Sequence, residues 1–480
     1  MVLVIWANFL HFYQPPTQKK YWVDRISNES YSRILKELQN HPGARLTINI
    51  SAILLELWDK FDHQDLIEGY RKLVEKGQIE VTGSAKFHPL LPKLPPEEII
   101  RQIKLNELTL YRYLGVVGPN DVQRSTSNVG RLRGFFPPEM AFDSSLAKIV
   151  ESLGYDWVVC EELSYSDQLG KVDYSKIYQL KGGHLKLFFR DRYFSYKILS
   201  GQLGTANLFL TELGDRLNQK VYLFTAMDGE TFGHHRPGLE KLLFELYNIS
   251  QVPTVTVSEA WAQFNVNDFE EVDVKPSTWA LMENDVSKRL AYARWDDPDN
   301  EIHQWQWEFT DLAIRAVQKS EIRVPNSDFD DSKLSAEQKR WSKARLLLDE
   351  ALHSDQYWWA SARPWWSLEM IERGARGLLD VIEALPDNKE YLSHAQDLYY
   401  SIITTGFKWQ REGIVEAKAR GEDEEIRMRT DEGLPKIPKE ELSKMIKTVE
   451  DEMWAVTKNK EFERAAQLRD RIKELEAYLV

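Results

Sequence analysis

Cysteine is nearly missing: Cys160 is the one thiol in 480 residues. A single thiol closes no internal disulfide and builds no cysteine-based zinc site, and inside the apolar run WVVCEE it reads as a buried strand residue. A reducing, cytoplasmic setting is the expectation that follows. Long hydrophobic runs are missing too. No stretch reaches the roughly 18 to 20 apolar residues needed to cross a bilayer, and the apolar start MVLVIWANFLHFYQPP lacks the basic flank and small-residue cleavage site of an export signal. Positive charge is in deficit, with 62 Lys and Arg against 75 Asp and Glu and a formal charge of −13. Nucleic acid and anionic membrane surfaces both reward clustered cations, so neither is expected as a partner; a neutral ligand is.

What is present is apolar and aromatic. At 42% hydrophobic residues, 480 residues supply one large core and a second compact unit. Up to about residue 265, short apolar runs alternate with amphipathic ones. Strands are predicted at Leu3 to Phe12, Arg45 to Ile50, Ile79 to Gly83, Gly134 to Pro137, Trp157 to Cys160, Leu185 to Phe189, Val221 to Met227 and Val255 to Val257. Helices such as SYSRILKELQN, LIEGYRKLVEKG and SSLAKIVESLG fall between them. Such alternation predicts an α/β fold with a parallel sheet, and seven or eight units favour a barrel, whose chemistry sits at the C-terminal ends of its strands. Beyond about residue 300 the strand signals fade into helices. The expected organisation is a catalytic barrel over 1–300, a helical domain over 301–415, a charged linker at 416–437 and two closing helices within 438–480.

Four stretches put polar residues at the ends of apolar strands: HFYQPP at 11–16, GQIEVTGSAKFHPLLP at 77–92, FFPPEMAFD at 135–143 and LFTAMDGETFGHHRPG at 223–238. A lone histidine such as His11 is ordinarily a satisfied core residue, but His11, Glu80, His88, Glu139 and Asp228 all fall at or just past strand ends. Glu139 reads either as an early helix residue facing the positive end of the dipole or as a carboxylate held on the rigid Pro137–Pro138 platform. Asp228 reads either as a turn residue or as part of a titratable cluster with Glu230, His234 and His235, between Gly229 and Gly233. Two carboxylates amid aromatics in a site for a neutral ligand suit glycoside hydrolysis, in which one protonates the leaving oxygen and the other attacks or stabilises the anomeric centre. The 16 tryptophans, including those of DQYWWASARPWW at 355–366, offer rings for sugar faces; about half of them are assigned to core packing instead.

HFYQP, GQIEVTGSAKFHPLL, PPEMAF, MDGETFGHHRPG and LHSDQYWWAS occur in the order and approximate spacing of the five sequence regions of glycoside hydrolase family 57, which the chain resembles over about residues 1–400. The resemblance implies an incomplete (β/α)7 barrel followed by a helical domain that closes over the site. It implies retaining chemistry on α-glucosidic bonds, by hydrolysis or glycosyl transfer, with Glu139 as nucleophile and Asp228 as acid/base, about 5 Å apart. His11, Gln14, Glu80, His88, His234, Asp355, Trp358 and Trp359 fall on supporting or sugar-contacting positions. Phe136 stands where the family usually carries tryptophan, as a smaller stacking ring. No cofactor or metal is implied, although His11, His88, His234 and His235 with Asp228 leave open a metal-dependent sugar-processing barrel. The segment 276–307 reads as a lid or acceptor wall, or equally as a surface connection.

The end of the chain, KNKEFERAAQLRDRIKELEAYL at 458–479, resembles the UVR motif, a helical hairpin that pairs with another such hairpin. The resemblance implies a homodimer or a protein partner. An amphipathic closing helix packed on its own domain is the equal alternative. A carbohydrate-binding or regulatory protein acting through that hairpin remains the non-enzymatic reading.

Overall fold

The structure, a computed structural model, describes residues 4–121, 130–264, 269–320, 334–421 and 437–479. Ten strands occur in it: β1 (Val4–Phe12), β2 (Leu46–Ile50), β3 (Ile79–Val81), β4 (Gly134–Phe135), β5 (Trp157–Cys160), β6 (Ile177–Leu180), β7 (Lys186–Phe189), β8 (Val221–Asp228), β9 (Thr254–Val255) and β10 (Phe269–Val272). One sheet runs β3-β2-β1-β8 with β9 also paired to β1, and the other runs β10-β6-β7-β5-β4. All of these pairings are parallel except β6 with β7. β1 is buried at all nine positions, which is why VIWANFLHF shows no polar alternation: a central parallel strand has no solvent face.

The two sheets meet at two seams. A parallel bridge joins Gly83 to Phe135, and Asp191 N donates to Phe224 O at 2.6 Å beside the end of β7. Seven parallel strands thus follow one another as β1, β2, β3, β4, β5, β7 and β8, with two thin joins in place of full ladders. The α/β class expected from the sequence is the class observed. Differences lie at the edges. β4 stops at Phe135, two residues short of its predicted end, because Pro137 and Pro138 have no N–H for a ladder. β6 and β10 were not predicted; they form an outer pair beside β7, beyond the seven-strand run.

Helices Glu301–Lys319, Ala336–Ala351, Leu368–Ala384 and Lys389–Arg411 follow the barrel strands. Their group is tied to the barrel by charge as well as packing. Arg345 forks onto Glu98 with two 2.8 Å bonds, Arg101 forks onto Asp349 at 2.8 and 2.6 Å, and Ser354 N donates to His88 O at 3.0 Å. Helices Lys439–Lys458 and Phe462–Ala477 close the chain as a hairpin. Most of the expected linker, residues 422–436, lies outside the described residues, as does Leu3. Among the described residues no helix is long and apolar enough to cross a membrane.

Candidate active site

β1 and β8 run side by side with His11 opposite Asp228, and β2 places Asn49 opposite His11 on the other edge. The strand ends therefore set one polar layer. Asn49 donates from Nδ2 to Thr82 Oγ1 at 3.3 Å, which turns its Oδ1 toward His11 Nδ1 at 2.9 Å. His11 then carries its proton on Nδ1, so its Nε2 accepts from His88 Nε2–H at 3.1 Å. His88 Nδ1 lies 3.1 Å from the Ser354 hydroxyl, which also hydrogen-bonds the Glu139 carboxyl and favours its charged form. Burial pushes His11 well below the usual imidazole value, and burial pushes His88 down to about 4. Both rings are neutral at pH 7. Tyr13 stacks on His88 with centroids 3.9 Å apart and donates its hydroxyl to Asp355 Oδ2.

Glu139 is not the helix residue that one reading proposed. It sits in a 3₁₀ turn, Pro138–Met140, at φ +60°, and the helix Ser144–Ser152 starts only after Asp143, whose side chain caps Ser145 N and Leu146 N. The left-handed conformation is unfavourable for a glutamate, and the preceding prolines help hold it. Its Oε2 accepts from Trp279 Nε1 at 2.7 Å, and Trp279 N donates to Glu139 O at 3.1 Å. Its Oε1 lies 3.7 Å from His88 Nδ1. The side chain keeps 17% of its surface exposed, so a ligand can reach it.

Burial is the main cause that raises the Glu139 carboxyl to about 8; the Trp279 donor opposes it, and the neighbouring Asp228 and Asp355 add to it. Burial likewise raises Asp228 to about 7, against the pull of the Arg190 guanidinium. Arg190 is held by Glu161 at 2.6 Å and donates to Ala226 O at 3.2 Å and Trp279 O at 3.3 Å. A third carboxyl, Glu230, is raised to about 8 by burial and then by Asp228; it accepts from Gln14 Nε2 at 3.0 Å and from the Tyr31 hydroxyl. Glu139, Asp228 and Glu230 are thus all raised, so ionisation of carboxyls in this layer is disfavoured near neutrality. Burial also works against ionisation of Asp355, but His353 and then His88 and Tyr13 more than offset it and hold that carboxyl below its usual value.

The structure therefore brings together His11, Gln14, His88, Glu139, Asp228 and Asp355. Trp358 and Trp359 follow on the same turn as Asp355, half-buried, and pack with Trp295 and the exposed Trp365. Three expected residues are placed otherwise. Phe136 is fully buried among Phe9, His11 and Trp279, which makes it part of the floor and not an open stacking ring. Glu80 points away from this layer: it accepts from Ser258 N at 3.0 Å and from Ser258 Oγ, at the start of the helix Val257–Gln263. His234 turns toward Glu29, with Nδ1 2.6 Å from Oε2. Sequence reasoning left out Tyr13, Asn49, Arg190, Trp279 and Ser354. Tyr13 lies inside the HFYQP stretch and belongs with it; Trp279 is 140 positions from Glu139 and carries no local signal, although it falls in the segment 276–307, read from the sequence as a lid or acceptor wall or equally as a surface connection. Among the described residues no three His, Cys, Asp or Glu side chains are grouped as metal ligands.

Solved structures with the same fold include a family 57 branching enzyme from Pyrococcus horikoshii, at TM-score 0.60 and 16% identity over 84% of this chain and 96% of that one. Another is an exo-type maltose-forming amylase from Pyrococcus sp. ST04, at TM-score 0.61 and 14% identity over 83% of each. Among curated proteins, an alpha-amylase of Pyrococcus horikoshii is 26% identical over 239 residues, which is 49% of this chain and 35% of that protein. A 4-alpha-glucanotransferase of Thermococcus kodakarensis is 28% identical over 243 residues, 49% of this chain and 34% of that protein. The match thus spans about a third of the length of these curated relatives. The UvrB/uvrC motif matches residues 443–478. The profile of Glycosyl hydrolase family 57 matches residues 7–275, more than half of the chain and every strand-end residue of the polar layer, and the chain belongs to that family.

Proposed function

We propose that the chain acts on α-glucans by a retaining double displacement, with Glu139 as nucleophile and Asp228 as acid/base. The observation that carries this reading is the pair of partly exposed carboxyls just past the end of β4 and at the end of β8, one of which is gripped by an indole N–H. In the free site burial disfavours ionisation of both carboxyls. A bound glycan presents its glycosidic oxygen, an acceptor, to Asp228, while Trp279 Nε1–H favours the anion on Glu139. The proton then resides on Asp228 and the negative charge on Glu139. Glu139 attacks the anomeric carbon as Asp228 protonates the departing oxygen, giving a glycosyl ester. Asp228, now anionic beside Arg190, accepts a proton from water or a sugar hydroxyl that cleaves the ester. Water yields hydrolysis and a sugar hydroxyl yields transfer.

The α-glucan class is supported by the names of the relatives, and the tryptophans around Asp355 supply flat apolar faces for sugar rings. The test is incubation with maltooligosaccharides and amylose, following reducing ends and chain lengths. New reducing ends mark a hydrolase; redistributed lengths at constant reducing ends mark a 4-α-glucanotransferase; new branch points mark a branching enzyme. Glu139→Gln and Asp228→Asn should each abolish turnover and keep oligosaccharide binding. Undiminished turnover in either variant would overturn the assignment.

A further inference from the structure

The UVR-like hairpin is docked onto the segment that leaves Asp228, and its attachment is polar, buried and specific. Arg464, 4% exposed, donates to Gly233 O and pairs with Glu240 at 3.2 Å; the Glu240 side chain has no exposed surface. Arg33 reaches the same Glu240 at 3.5 Å and also binds Glu452 of the hairpin, which lies 3.2 Å from Lys241. On its other side the loop lies in close contact with the Ser27–Asn40 region. Gly233 adopts φ +109°, and a Cβ there would collide with Glu29 O. Ser30 Oγ donates to Gly229 O at 2.8 Å, and the Tyr31 hydroxyl holds Glu230, whose own carbonyl accepts from His234 N and His235 N at 3.1 and 2.8 Å. Residues 229–240 are thus clamped between the Ser27–Asn40 region and the hairpin.

We propose that Arg464 is a positioning residue for the reaction, and that the docked hairpin fixes the orientation of the Asp228 carboxyl through Gly233 and Glu240. This rests on Asp228 being the acid/base, as proposed above. An Arg fork suits the role because one nitrogen anchors backbone and another holds a carboxylate at fixed geometry, which lysine cannot reproduce. An appended interaction module would need no buried ion network with the loop behind the acid/base; a positioning clamp does.

The test uses Arg464→Lys and the double variant Arg464→Met/Glu240→Gln, which leaves no unpaired Glu240 charge if the single variant fails to fold. Two substrates are compared: a maltooligosaccharide, whose leaving oxygen needs a proton, and the corresponding maltosyl fluoride, whose fluoride leaves without one. Expected is a loss of about 10-fold or more in kcat on the oligosaccharide, with first-turnover fluoride release changed by less than about 2-fold. Amide hydrogen exchange should quicken over residues 229–238 and stay unchanged over 301–411. Arg469→Ala, an exposed hairpin residue paired with Asp470 at 2.8 Å, should leave all of these as they are. Equal losses on both substrates, wild-type rates, or unchanged exchange over 229–238 would overturn the proposal. If the wild-type chain turns over neither substrate, the acid/base reading falls, and exchange over 229–238 alone then decides whether the hairpin clamps the loop.

Discussion

At the scale of single residues, the Trp279–Glu139 pair concentrates the most chemistry. The indole N–H favours the charged carboxylate in a place where burial opposes it. Trp279→Phe keeps most of the ring and deletes that donor. A hydrogen bond to a charged group is worth about 1.5–3 kcal/mol, so kcat/KM should fall by about 10- to 100-fold. Losing a donor to the anion raises the carboxyl pKa further, so the acid limb of the pH–rate profile should move to higher pH. An unshifted limb with a reduced rate would assign Trp279 to sugar stacking alone. Stability gives an independent reading of the same carboxyls. Both Glu139 and Asp228 are raised above their unfolded values, so the folded chain binds more protons than the unfolded one between pH 4 and 8, and stability falls as pH rises through that window. Glu139→Gln removes the penalty. Its Tm should exceed the wild-type value by about 2–4 °C at pH 8.5, and the difference should vanish near pH 4, as read by calorimetry. Glu139 and Asp228 were legible because each follows an apolar strand in a stretch of turn-forming residues. Trp279, Arg190 and Ser354 were not, because each reaches the site from an element whose local pattern says nothing of where it is delivered.

Elements explain the one acidic residue that the layer does not use. Glu80 on β3 is two residues before Thr82, hence one layer below the polar layer on the same face, and its carboxylate accepts from Ser258 N at the first turn of the helix Val257–Gln263, where a negative charge meets the positive end of the helix dipole. Burial raises its carboxyl, and the Ser258 donors counter it. Glu80→Ala, which leaves Ser258 N and the Ser258 hydroxyl without their acceptor, should therefore cost stability, about 1–3 kcal/mol, and leave KM for oligosaccharides within about 2-fold. Thermal melts and initial rates check this, and a large rise in KM with an unchanged melt would return Glu80 to the sugar-contacting set. The same element logic shows why β6 and β10 escaped prediction. IYQL and FEEV are four residues each, like WVVC and KLFF, but Gln179 and the Glu270–Glu271 pair interrupt their apolar residues, and they pair outside the seven-strand run that the alternation of strands and helices announced. β1 and β8, at nine and eight residues of nearly continuous burial, left a signal that no helix of that length would.

At the scale of the molecule, the site draws its support from both sides of the expected division at residue 300. Ser354 and Asp355 come from beyond that boundary, yet Ser354 binds His88 through both its hydroxyl and its amide, and His353 forms an antiparallel bridge with Pro89. The helix Ala336–Ala351 that delivers them is fastened to the helix Pro96–Leu114 by Arg345, Glu98, Arg101 and Asp349, three of which are nearly fully buried. Sequence patterns mark where strands give way to helices, but they do not report that a later helix returns to the mouths of earlier strands. If this network joins the two parts, calorimetry should show residues 1–411 melting in one transition. Arg345→Met should lower that transition, because it leaves Glu98 buried without its ion-pair partner at a cost of about 3–5 kcal/mol. It should also reduce kcat, because Ser354 and Asp355 lose the anchor of the helix that carries them. Two separate transitions in the wild-type chain, with only the second sensitive to Arg345→Met, would instead restore the boundary near residue 300 and make the helical part an independently folding lid.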